Sequence, residues 1–131
     1  MTISITSALN DARLTGTLAF LDTGSSSAAV RIYGSTRPAT PADTPGSVML
    51  VQIDLTKPAG SVSAGVLTLT PAANGLIAET GTATWARIVN GDGATAFDCD
   101  AGQGSGAWEI ELVEAVLYAG GDAALQSATL G

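Results

Sequence analysis

The sequence predicts a mainly β fold, an antiparallel β-sandwich or jelly-roll-like domain of about eight short strands with one N-terminal helix. Three observations carry this expectation. Short runs with period-two apolar alternation recur along the chain, VMLVQIDLT at 48–56 most clearly. Turn residues separate these runs at the spacing expected of a sandwich or barrel. Only one stretch, Ala8 to about Asp22, has helical periodicity. No composition shift marks a boundary, so residues 1–131 read as a single domain.

Taken in order, MTISIT at 1–6 alternates and predicts a short strand or an extended arm. The helix follows over 8–22, with Ser7 as N-cap and Asp11 placed early to complement the dipole. Leu14, Leu18 and Leu21 form a stripe, with Leu9 near it, that packs on the sheet. Gly16 costs this helix about 1 kcal/mol relative to Ala, and Gly24 suits the C′ position.

Ala28–Gly34 reads as a strand with Val30 and Ile32 inward and Arg31 and Tyr33 outward. STRPATPADTPGS at 35–47 is a loop carrying Pro38, Pro41 and Pro45. Loops of this length in small domains are functional or flexible. In the strand at 48–56, Met49, Val51, Ile53 and Leu55 share a face, and Lys57-Pro58 ends it. A strand over 62–70 has a bulge at Gly65, and Pro71 stops it. Leu76–Glu79 begins another short strand. Beyond residue 100, AGQGSG at 101–106 reads as a Gly-rich turn, and Trp108, Ile110 and Leu112 alternate with Glu109 and Glu111. Ala115–Ala119 and Ala123–Leu130 complete the strands around a Gly120-Gly121-Asp122 turn.

Asn90-Gly91-Asp92-Gly93 is the strongest hairpin signal. A two- or four-residue turn there sets Val89 opposite Ala94; a three-residue loop would break the sorting of faces and is disfavoured. Thr84, Ala86, Ile88, Thr95, Phe97 and Cys99 then share the core face. Trp85, Arg87, Val89, Ala94, Ala96, Asp98 and Asp100 share the other, with Trp85 opposite Asp98 and Arg87 diagonal to it. Two readings of Trp85 stand. Either the helix or another strand covers it, as befits a large aromatic, or Trp85 and Arg87 form an outward contact surface.

Charged residues are 13% and hydrophobic residues 46%, so the chain is not disordered, and much of its surface must be small and weakly polar. A net charge of −7, with Arg13, Arg31, Arg37, Lys57 and Arg87 scattered, argues against nucleic acid as a partner. The single Cys99 admits no intrachain disulfide and reads as a small core hydrophobe. No apolar run approaches a membrane span and no leader pattern is present, so synthesis and folding in a cytoplasm, without a membrane partner, are expected.

The chain has no histidine, which removes the usual general base and the commonest metal ligand. AGQGSGAW lacks the Lys-Ser/Thr of a phosphate loop. Asp92, Asp98 and Asp100 are the best candidates for a Ca²⁺ site, but their spacing does not match an EF-hand. Glu109 and Glu111 are better explained as a solvated strand face than as a glycosidase pair. The expectation is therefore no enzyme, no metal and no cofactor.

Three segments carry a resemblance: ITSALNDARL at 5–14, VRIYGSTRPAT at 30–40 and GTATWARIVNGDGATAFDCDAG at 81–102. In order and over most of the chain, they resemble a family of small proteins encoded in the structural-gene regions of tailed bacteriophages and prophages. Ala86 stands where that family commonly carries a second aromatic. The resemblance implies a non-catalytic virion component made in the bacterial host; within that class, low charge, small residues and the long Pro-rich loop favour a capsid decoration or cement protein. Its partners would be the major capsid protein or other virion proteins, and it would be a homo-oligomer such as a trimer. A connector, tail or tail-fibre-associated protein is the alternative within that class, and a carbohydrate-binding β-sandwich module is the alternative outside it. The interface candidates are Arg37, Pro38, Pro41 and Pro45 of the loop, and Trp85 and Arg87 if exposed.

Overall fold

The computed structural model describes residues 3–104 and 108–131. In chain order it has α1 (Ser7–Leu21), β1 (Ala29–Tyr33), β2 (Val51–Ser63), β3 (Val66–Pro71), β4 (Gly75–Leu76) and β5 (Gly81–Thr82). β6 (Trp85–Val89), β7 (Thr95–Gln103), β8 (Ile110–Leu112), β9 (Val116–Leu117), β10 (Asp122–Ala123) and β11 (Leu125–Leu130) follow. The expectation of a mainly β fold with one helix holds. In place of a sandwich or jelly roll, seven strands close into a barrel in the order β1-β2-β3-β11-β8-β7-β6. β10–β4 and β5–β9 are separate two-stranded ribbons. Register shifts in the β2–β3, β6–β7 and β11–β8 pairs supply the local twist and bend that closure requires.

Several strand boundaries differ from expectation, β2 beginning at Val51 rather than at Val48 among them. Lys57-Pro58 does not end β2, which runs on to Ser63. Pro58 falls where the β2–β3 register shifts between Leu55 and Gly60, a bulge in which a proline removes no ladder hydrogen bond. Gly65 is not a bulge within a strand. Ala64 (φ 51°) and Gly65 (φ 80°) are a two-residue turn that folds β2 back onto β3. Downstream, Ala101–Gln103 belong to β7 rather than to a turn, whereas Ser105 and Gly106 lie outside the described residues.

The apolar alternation fills the barrel as its period dictates. Val30, Ile32, Val51, Ile53, Leu55, Leu67, Ala86, Ile88, Ile110 and Leu112 are buried together in one core. From α1, Leu14 and Leu21 join this core and Leu18 packs against it, whereas Leu9 is exposed. Thr6 caps the helix in place of Ser7, its hydroxyl accepting from the Leu9 N–H at 3.1 Å. Asp11 holds the hairpin tip: its carboxylate accepts the Gly65 N–H at 2.7 Å, beside an Asn10 Nδ2 bond to Gly65 O at 3.0 Å. At the far end of α1, Asp22 Oδ1 accepts the Ala59 N–H at 2.9 Å. The helix is thereby fastened along the β2–β3 hairpin.

The β6–β7 hairpin uses the disfavoured three-residue loop. Asn90 N–H donates to Ala94 O at 2.9 Å and Gly93 N–H to Asn90 O at 3.0 Å, with Gly93 at φ 82°. Asn90 therefore faces Ala94, and Val89 faces Thr95. A second irregularity, between Ile88 and Val89 on one strand and across Ala96 on the other, restores the sorting of faces, because Ile88 pairs with Phe97 and Ala86 with Cys99. The predicted faces of Ala86, Ile88, Phe97 and Cys99 stand, but the pairs slide by two. Arg87 sits directly opposite Asp98, and Trp85 opposite Asp100.

Candidate functional site

The outer face of β1, β6 and β7 gathers most of the residues singled out from the sequence. Register sets Tyr33 beside Trp85 and Arg31 beside Arg87. The Tyr33 and Trp85 rings stack at 4.5 Å with 14° between their planes, and the Arg87 guanidinium lies 5.4 Å from the Trp85 ring. Arg87 then forks onto Asp98, Nε to Oδ1 at 2.7 Å and Nη2 to Oδ2 at 2.9 Å. The Asp98 hydrogen bond holds the guanidinium pKa above its ordinary value, against the opposing effect of burial. On the other flank Arg31 Nε donates to Gln52 Oε1 at 3.1 Å, and Gln52 Nε2 donates to Asp54 Oδ1 at 2.9 Å. Two arginines directly opposite would repel; each is matched by an acceptor on its outer side.

The Pro-rich loop lies across this face as a strap. Ser35 Oγ accepts from Trp85 Nε1 at 3.3 Å, and Thr84 Oγ1 donates to Ser35 O at 2.6 Å. Further along, Pro41–Pro45 flank Arg87 and Thr95. Under this cover Trp85 is 1% exposed and Arg87 6%. Both are therefore interior residues, and the condition under which they would be contact residues is not met: the covering element is the loop, not the helix. Arg37 remains outside. It pairs with Asp100 at 3.2 Å, with their side chains 44% and 50% exposed. Pro41 is exposed, whereas Pro38 and Pro45 are half-buried.

Three of the candidate carboxylates have structural partners. Asp98 is taken by Arg87, Asp100 by Arg37, and Glu109 Oε1 accepts the Asp100 N–H at 3.4 Å. Among the described residues no group of three or more His, Cys, Asp or Glu is placed to hold a metal ion. Among them, too, no helix is long and apolar enough to cross a membrane.

Cys99 is buried on the inner face, and burial, reinforced by the carboxylates of Glu109 and Asp100, pushes its thiol from 9.0 up to about 12. The proton is held more tightly folded than unfolded. That contribution to stability is complete below pH 9.0 and is lost as the pH rises toward about 12. Denaturation at pH 8 and pH 10.5 should show a steeper loss for the wild type than for Cys99→Ala. Equal losses would contradict the assignment.

A feature that sequence reasoning did not single out lies at the two ribbons. Leu76, Val113, Val116 and Tyr118 are exposed, the last at 66%, and the latter three border one shallow groove of about 360 Å³. The cue in the sequence was a set of large apolar residues in and beside strands of two residues, Leu76 in β4 and Val116 in β9, too short to bury both faces. Compared with protein-family models, with curated proteins and with solved structures, the chain matches none.

Proposed function

We propose that this chain is a bacteriophage virion structural protein, a decoration subunit that stabilises the head through contacts with the major capsid protein. The observation that carries the reading is the exposed apolar cluster of Val113, Val116 and Tyr118, with Leu76 also exposed on the β10–β4 ribbon, on a closed, well-packed barrel. Large apolar side chains grouped at the surface mark an interaction site. The resemblance of segments 5–14, 30–40 and 81–102 to phage structural-region proteins supports the same class. The low charge suits close packing against a protein lattice. Sugar recognition is disfavoured, since Tyr33 and Trp85 are buried and Trp108 and Tyr118 border different grooves.

Purified particles separated into heads and tails test the reading. The chain should be recovered with heads in near-stoichiometric amount. Recovery with tails would assign the connector or tail role instead, and absence from particles would overturn both. Arg37→Ala offers a finer test of the strap. Its ion pair is exposed, so the substitution should cost less than about 1 kcal/mol of stability. If the strap's outer side meets a neighbour, the folded variant should enter particles at reduced occupancy. Full occupancy would leave Arg37 without an assembly role.

A further inference from the structure

β7 is nine residues long, yet on the side away from β6 only Ala101–Gln103 pair with another described strand, the three-residue β8. On β8's far side β11 runs on to Leu130. Between the open part of β7 and the end of β11 lies a groove of about 1050 Å³. Thr17 and Phe20 of α1, Phe97 of β7, Leu130 of β11, and Trp108 and Glu109 line it. The Asp100 N–H points to this side, toward Glu109. Backbone groups alternate sides along a strand, so the N–H and C=O of Asp98, which lies beyond the irregularity at Ala96, point the same way. Among the described residues no strand pairs with them. This is an open sheet edge of the kind that templates strand addition.

The same chain carries a matching strand. Residues 3–6 lie ahead of α1, extended at Thr6 (φ −74°, ψ 157°), with no strand partner among the described residues. Ile3 is 82% exposed and Ile5 39%. In an extended segment Ile3 and Ile5 share one face, and Ser4 and Thr6 the other. One apolar face and one polar face suit a groove with apolar walls and an open mouth. The segment carries no charged side chain, so nothing in it is repelled by Glu109, which lines the groove.

We propose that residues 3–6 of one copy add as a strand to the β7 edge of a second copy. Each copy gives its segment to one neighbour and receives another's, a heterologous contact that closes into a ring where the rotation permits. The proposal deepens the assembly reading. It is tested on purified protein without particles, so its failure and the failure of that reading are distinguishable.

Two single-cysteine variants in a Cys99→Ala background provide the test, Ile5→Cys as donor and Thr129→Cys as acceptor, mixed and mildly oxidised. A disulfide-linked dimer of the two is expected, reduced more than tenfold when the donor also carries Ile3→Asp. Hydrogen exchange on the wild type at high concentration should show a protected amide at Asp98. That protection should fall more than tenfold in Ile3→Asp/Ile5→Asp. An absence of cross-linking with a freely exchanging Asp98 amide overturns the proposal. So does cross-linking indifferent to Ile3→Asp. Cross-linking only when both cysteines sit in one chain would show that the copy fills its own groove, and overturns it as well.

Discussion

Arg87→Ala is expected to lower the unfolding free energy by about 3–5 kcal/mol, since it strands a carboxylate whose partner is gone. The Asp98 side chain is 4% exposed, so water cannot replace the guanidinium without opening the strap. The same substitution removes the cation from the Trp85 ring and leaves space beneath Pro41–Pro45. For a domain of this size the midpoint should fall on the order of 10–20 °C in a thermal melt. Pairing the change with an apolar partner should recover most of the loss: Arg87→Met/Asp98→Leu buries no charge and keeps much of the volume. A double variant as unstable as Arg87→Ala would show that the strap, not the buried charge, sets the cost.

Gly91→Ala should cost about 3 kcal/mol or more, and Gly93→Ala only about 1–2 kcal/mol, although both lie in the same turn. The reasons differ. Gly93 takes φ 82°, a left-handed conformation that Asn tolerates as well. Gly91 is outside that region, but a Cβ there would run into the carbonyl oxygen of Ser26 and come within 2.9 Å of Thr23 O. The turn is docked against the chain leaving α1, where Gly91 N–H donates to Thr23 O at 3.0 Å. Backbone stands on both sides, so relief requires moving the helix end or the hairpin. Urea denaturation of the two alanine variants separates the cases; equal losses would mean that the turn conformation alone matters.

Local patterns were legible, and long-range closure was not. The Leu14, Leu18 and Leu21 stripe, the β1 alternation and the turn residues Asn90–Gly93 each encode structure within a few positions, where periodicity and φ preferences act. The barrel depends on bulges at the middle of β2 and near Ala96, and a bulge has no residue signature as firm as a turn. Pro58 illustrates the difficulty, for a proline that reads as a strand end sits within the β2 bulge. In the β6–β7 hairpin, two one-residue irregularities add to a slide of two, which is why the faces of Ala86, Ile88, Phe97 and Cys99 were read correctly from an incorrect register, while Thr84 is exposed and Thr95 lies beside Arg87 rather than in the core. The fate of Trp85 and Arg87 depended on a distant loop folding over them, a packing event that no spacing reveals. The exposed cluster at Val113, Val116 and Tyr118 was hidden for a related reason: these residues sit in and beside the two-residue β9, which is too short to give them a covered face.

Hydroxyl-radical footprinting of the free protein and of purified particles addresses the assembly reading most directly. Tyr118 and Leu76 should be oxidised readily in the free protein and protected severalfold in particles, while Trp85 under its strap should be protected in both. Equal labelling of Tyr118 and Leu76 in the two samples, or particles without the chain, would contradict the account.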